Sequence, residues 1–134
     1  MRPVNVSSAR IDCHVFIDFD GTIAPCDATD FLYERFAPPS WQEIEKEWQA
    51  GRIGSRECTT RQVDLLRATP EAMLQAIGEL GVERGFREFV AQGQRDGIGM
   101  TVVSDGFDLA IETVLGNAGV ALPFFANHLE SAGG

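Results

Sequence analysis

The sequence is short of basic residues, and lysine is almost absent. Against 20 Asp and Glu stand 11 Lys and Arg, for a net charge of −9, and Lys46 is the only lysine. No Lys or Arg follows Arg95. Such a surface is a poor partner for nucleic acid or an anionic membrane, because both are held through clustered Lys and Arg. An anionic small molecule stays open, provided its charge is met locally by a metal ion, helix N-termini or one or two arginines.

Cysteine is scarce as well. Cys13, Cys26 and Cys58 are odd in number and form no CxxC pair, which argues for free thiols and against a disulfide framework or zinc site. His14 and His128 lack ligand-like neighbours at helical spacing and read as structural or surface residues. No apolar run approaches the roughly 20 residues that span a bilayer. The stretch Met1–Arg10 is polar, unlike a secretory signal. A soluble, cytoplasmic protein is expected. Its 134 residues, 44% hydrophobic, suit one domain with an ordinary core.

The apolar run Cys13–Ile17, followed by acidic residues and glycine, predicts a buried strand that delivers Asp18 to its C-terminal edge. From Ala28 the pattern turns helical. Ser40 with Glu43 predicts a capping box, followed by Trp41, Ile44 and Trp48 on one face and Gly51 as terminator. These tryptophans read as packing residues. Ser55 opens a further helix with Val63 and Leu66 facing inward. Thr69-Pro70 opens the next, running to Gly81. Residues 84–95 make another, bearing Phe86, Phe89 and Val90. Met100–Val103 predicts a second buried strand, ending in Ser104-Asp105-Gly106. Phe107, Ala110, Ile111, Val114, Leu115 and Ala118 then mark an amphipathic helix closed by Gly119. Ala121–Ala126 reads as a third strand and Ser131–Gly134 as a frayed tail. The fold class is α/β, in which ligands gather at the carboxyl ends of the strands.

Both polar strand ends carry chemistry. A carboxylate at a strand end can attack phosphorus, and a second one two residues on can protonate the leaving alkoxide. Asp18 and Asp20 stand at that spacing. Gly21 allows close backbone approach, and Thr22 offers a hydroxyl and an N–H. The plain alternative is that Asp-Phe-Asp-Gly-Thr is only a turn after a strand. Likewise, Ser104 or Asp105 would serve as a cap for the helix beginning near Phe107.

These strings resemble the haloacid dehalogenase superfamily of phosphohydrolases, whose first motif is an apolar strand followed by DxDGT. The resemblance implies a Rossmann-like parallel sheet, incomplete here, with a helical cap inserted between its first two strands. The implied core is 11–27 and 97–134, and the cap with its connecting helix is 28–96. It implies Asp18 as nucleophile and Mg2+ ligand, and Asp20 as general acid/base that binds the metal through its backbone carbonyl. It also implies that Gly21, Thr22, Ser104, Asp105 and Gly106 receive the phosphoryl group of a small phosphorylated metabolite. Asp27-Ala28-Thr29-Asp30, Arg56-Glu57-Cys58 and Val103–Asp108 look like the phosphoserine-phosphatase-like branch, and within it the phosphatases of methionine salvage.

The family also uses a Lys and an acidic pair near Gly-Asp, C-terminal to the second motif. Here Lys46 falls in the cap, and Glu112 and Glu130 are the only carboxylates beyond Asp108. The expectation is the N-terminal part of a longer phosphatase. Three functions follow: a phosphomonoesterase, a non-catalytic phosphate-binding or interaction module, or an incomplete product without an independent role. Arg52, Arg56 and Arg61 are candidates for a second anionic end of the substrate, or else an ordinary solvated helix face.

Overall fold

The computed structural model describes residues 12–131. The polar stretch Met1–Arg10 and the tail beyond Ser131 lie outside the described residues.

Three parallel strands, β1 (His14–Asp18), β2 (Gly99–Phe107) and β3 (Phe124–Asn127), form a sheet in that order. Parallel neighbours need a crossover. Between β1 and β2 it consists of five helices: α1 (Ala28–Phe36), α2 (Trp41–Gln49), α3 (Ser55–Val63), α4 (Pro70–Ile77) and α5 (Phe86–Arg95). The helix α6 (Asp108–Ala118) links β2 to β3.

The register pairs Ile17 with Val102, and Val102 with Phe124. Those side chains share one face, and Ile17 and Val102 are buried there in one cluster with Ile77, Val90, Ile111 and Val114. Burying each large aliphatic side chain stabilises the fold by about 1.5–3 kcal/mol. The other face is open among the described residues: Phe16 is 68% exposed, Val103 42% and Phe125 69%. On that face Thr101 is buried, and its Oγ1 lies 2.8 Å from Nε2 of the exposed His14.

Local chemistry explains several helix ends. Asp27 accepts the Asp30 N–H at 2.9 Å to start α1, a cap worth about 1 kcal/mol. Thr69 accepts the Ala72 N–H at the start of α4, with Pro70 in the first turn. The left-handed Gly119, φ 69°, stops α6.

Several expectations need correcting. Ser40 makes no side-chain cap, because it is already helical at φ −60° and ψ −15°. Its turn begins earlier, where the Trp41 N–H bonds the Pro38 carbonyl, and Glu43 pairs with Lys46 instead. Helix α4 stops at Ile77 rather than near Gly81. Phe89 points outward at 52% exposure, while Phe86 and Val90 are buried. The second strand does not end at Val103: it continues to Phe107 through a break in register. Ser104-Asp105-Gly106 therefore forms a bulge in a strand, and neither Ser104 nor Asp105 caps α6, whose cap residue is Phe107. No helix among the described residues is long and apolar enough to cross a membrane.

Candidate active site

The buried Phe19 roots the loop after β1, and its carbonyl accepts the N–H groups of Thr22, Ile23 and Ala24. Ile23 and Ala24, fully buried, anchor the far side of this turn. Gly21 turns the chain at φ 69° in open space. Its role is thus conformational, since side chains strongly disfavour that region. The Thr22 N–H is already spent on Phe19 at 3.2 Å, so only its exposed hydroxyl remains for a ligand.

Asp18 closes β1 in an exposed position, with Oδ1 accepting the Phe19 N–H at 2.9 Å. Asp20 is half-buried, and both of its oxygens are engaged. Oδ1 accepts the Ala28 N–H at 2.8 Å, and Oδ2 accepts the Ser104 hydroxyl at 3.3 Å. The strand bulge makes that second contact, because a bulge re-aims side chains. Burial pushes the Asp20 carboxyl above its ordinary range, with Asp27 and Asp105 adding to the rise while the Ala28 N–H and Ser104 hydroxyl oppose it. Asp20 therefore gives up its proton at higher pH than an ordinary carboxyl.

Gly106 is buried beneath these groups and donates its N–H to Ser104 Oγ at 3.0 Å. A β-carbon there would lie 3.2 Å from both Asp20 Oδ2 and Ser104 Oγ, and 3.3 Å from Thr29 Oγ1. The sequence explains a glycine here only after folding, since Thr29 and Asp20 arrive from another part of the chain. Asp105 is exposed, and its carbonyl accepts from Asn127 Nδ2 at 2.6 Å. Thus Asp20, Ser104 and Gly106 converge, while Asp18, Thr22 and Asp105 are presented to solvent around the strand ends.

A cleft of about 200 Å³ opens over Asp20 and Gly106 and runs between α1, α2 and α3. Its walls include Asp30, Tyr33, Glu45 and Trp48. Asp30 closes the Asp27-Ala28-Thr29-Asp30 string noted in the sequence, whereas Tyr33 and Glu45 carry no local motif and were missed. Trp48 was expected only to pack. It is 42% exposed, donates from Nε1 to Ser55 Oγ and borders the cleft, whereas Trp41 is buried against Tyr33. None of the three arginines lines it. Arg61 pairs with Glu47 and Glu57, and Arg56 faces a neighbouring hollow with His128. His128 itself pairs with Asp108. All three cysteines are free.

Among the described residues, no group of three or more His, Cys, Asp or Glu side chains is gathered for a metal. The oxygen donors left at the end of β1 are the second carboxylate oxygen of Asp18 and the backbone carbonyl of Asp20. That set fits a hard cation that keeps most of its water, as Mg2+ does with one or two carboxylates. It does not fit a thiolate- or imidazole-seeking metal.

Comparison with known proteins agrees with this arrangement. The model of the haloacid dehalogenase-like hydrolases matches residues 15–134. A 2-hydroxy-3-keto-5-methylthiopentenyl-1-phosphate phosphatase from an Exiguobacterium species is 30% identical over 122 residues, covering 90% of this chain and 56% of that protein. The protein of the same name from Geobacillus thermodenitrificans is 33% identical over 106 residues, covering 75% of this chain and 47% of its own length. A solved phosphoserine phosphatase, captured as an analogue of its phospho-aspartyl intermediate, superposes with a TM-score of 0.71 at 26% identity, covering 90% of this chain and 58% of that one. A hydrolase from Salmonella enterica, at 17% identity, shares the fold with a TM-score of 0.74, covering 87% of this chain and 40% of its own. The chain spans about half the length of the curated relatives it matches. Its strand-end carboxylates, bulged Ser104 and family match lead to one conclusion: the chain belongs to the haloacid dehalogenase-like hydrolases.

Proposed function

We propose that the chain carries the nucleophile half of a Mg2+-dependent phosphomonoester hydrolase acting on a small phosphorylated metabolite. The observation that carries this reading is the contact between Asp20 and Ser104 beside the exposed Asp18. That contact supports a reading in which an acid/base group, a hydroxyl and a carboxylate work together beside the end of β1.

In this reading an Asp18 oxygen attacks phosphorus and the bond from phosphorus to the ester oxygen breaks. Asp20 gives its proton to the departing alkoxide, a role suited to a carboxyl that burial keeps protonated to higher pH. Water then attacks the aspartyl-phosphate while Asp20 takes its proton, which frees inorganic phosphate and restores the Asp18 carboxylate. The Thr22 hydroxyl donates to the phosphoryl oxygens, and Ser104 turns its single O–H from Asp20 to them when the ester binds. Asp18 and the Asp20 carbonyl would hold Mg2+, which would supply charge neutralisation between carboxylate and phosphate. The division into a core, 11–27 and 97–134, and a cap, 28–96, is part of the proposal. The substrate printed in the relatives' name is the first ester to assay. Magnesium-dependent phosphate release that disappears in Asp18→Asn supports the reading, and equal turnover in both proteins refutes it.

A second reading has its own observation. Lys46, the only lysine, is exposed and paired with Glu43 in α2, and no metal-binding cluster is gathered among the described residues. Such a chain would bind phosphate esters without turning them over. Calorimetric binding with no phosphate release would favour this alternative.

A further inference from the structure

The far wall of the cleft is built from groups that the proposed chemistry does not use. Tyr33 is only 2% exposed, its ring lies 5.5 Å from that of Trp41, and its hydroxyl has no hydrogen-bond partner. Beyond burial itself, the groups that act most on this phenol are Cys58, Asp30, Asp27 and Glu45. All four line the cleft with Tyr33, whose hydroxyl is buried behind that wall. A buried hydroxyl left unpaired is costly and uncommon. A ligand group that paired with it would remove that cost.

The charges around it have one sign. Asp27 is committed to capping α1, but Asp30 bonds Asp27 through its backbone N–H and keeps its carboxylate free of that contact. Glu45 accepts from Gln62 Nε2 at 3.0 Å and from the Cys58 thiol at 3.8 Å, both through Oε2. Its other oxygen is left for a ligand. No Lys or Arg lines the cleft.

We propose that this recess receives the alcohol end of a phosphate monoester and selects one that donates hydrogen bonds and bears no second negative charge. An ammonium group is its strongest match. The inference rests on the phosphate site proposed above and deepens it. A carboxylate at the same place would face Asp30 and Glu45 with no counter-charge, whereas hydroxyl or ammonium donors would meet both carboxylates and Tyr33 Oη.

The test compares O-phosphoethanolamine with phosphoglycolate, esters of matched length and opposite terminal charge, alongside inorganic phosphate. Calorimetry in Mg2+ buffer uses the full chain in an Asp18→Asn background, so that neither ester turns over. The expected result is tighter binding of phosphoethanolamine by about tenfold or more, from reversing one charge beside two carboxylates. Asp30→Asn should narrow that ratio. Tyr33→Phe should weaken phosphoethanolamine and leave inorganic phosphate unchanged. Equal or tighter binding of phosphoglycolate, or a ratio untouched by both variants, overturns the recess while inorganic phosphate still binds. Failure of inorganic phosphate to bind either the Asp18→Asn protein or the unmodified chain overturns the underlying phosphate site, and the recess with it.

Discussion

The hydroxyl of Ser104 stands 3.3 Å from Oδ2 of Asp20, across 84 residues of chain. One residue follows β1 and the other lies in the bulge of β2, so the contact exists only when the two strands pair in register. It also opposes the effect of burial on Asp20.

Ser104→Ala removes a donor from a carboxylate, so the Asp20 pKa should rise further. The acid-requiring limb of the pH–rate profile should move to higher pH. Hydrogen bonds to charged groups are worth about 1.5–3 kcal/mol, so affinity for phosphate esters should fall roughly 10- to 100-fold. A profile that stays in place with unchanged affinity would separate Ser104 from the site.

Two glycines should respond differently to alanine. At Gly106 the new methyl would crowd Asp20, Ser104 and Thr29. Ligand binding should therefore be lost, and overpacking should cost about 1–3 kcal/mol of stability. At Gly21, with φ 69° and open space, the cost is backbone strain of about 1–2 kcal/mol. Gly21→Asn should recover part of it, since Asn tolerates that conformation. Urea midpoints read the strain, and phosphate calorimetry reads the crowding.

Asp30 gives a pH prediction. Burial of its carboxyl, then Asp27 and Glu45, pushes it from 3.8 up to about 6, even though the residue as a whole is exposed. A carboxyl raised on folding contributes stability that is fully present below its unfolded pKa and lost as pH rises through the folded one. Wild-type stability should therefore fall relative to Asp30→Asn between about pH 4 and pH 6. Parallel stability curves for the two proteins across that window would contradict the assignment.

The two faces of the sheet should also differ. Ile111, fully buried, should lose about 2–5 kcal/mol on truncation to alanine. Phe16, 68% exposed, should change stability by no more than about 0.5 kcal/mol. Denaturant midpoints at matched slope decide this, and a large Phe16 penalty would mean that its face is covered in solution.

The sequence made some of these features readable and hid others, for physical reasons. The strand before Asp18 was legible from its apolar run. The expected burial was wrong for Cys13 and Phe16, which lie exposed because one face of the sheet is uncovered among the described residues. The spacing from Ala110 to Leu115 did report burial. The start of α4 was legible because Thr69-Pro70 is a local signal. Ser40 and Glu43 misled because Pro38-Pro39 begins the turn earlier, leaving Ser40 in the wrong conformation to cap. The continuation of β2 through Ser104-Asp105-Gly106 escaped notice because those residue types favour turns, and pairing to β3 overrides that preference. Tyr33 and Glu45 carry no motif, and the string that ends in Asp30 does not say what Asp30 faces. Their meeting depends on how α1, α2 and α3 pack, which no local pattern records.

The central claim is that Asp18 becomes phosphorylated, and trapping tests it most directly. In Asp20→Asn, p-nitrophenyl phosphate needs no acid to expel its leaving group, but the second step lacks its base. Peptide mass spectrometry after a rapid quench in Mg2+ buffer should find one phosphoryl group per chain, on Asp18, and none after Mg2+ removal. Release of p-nitrophenol with Asp18 unmodified, or a phosphoryl group on another residue, would contradict the account.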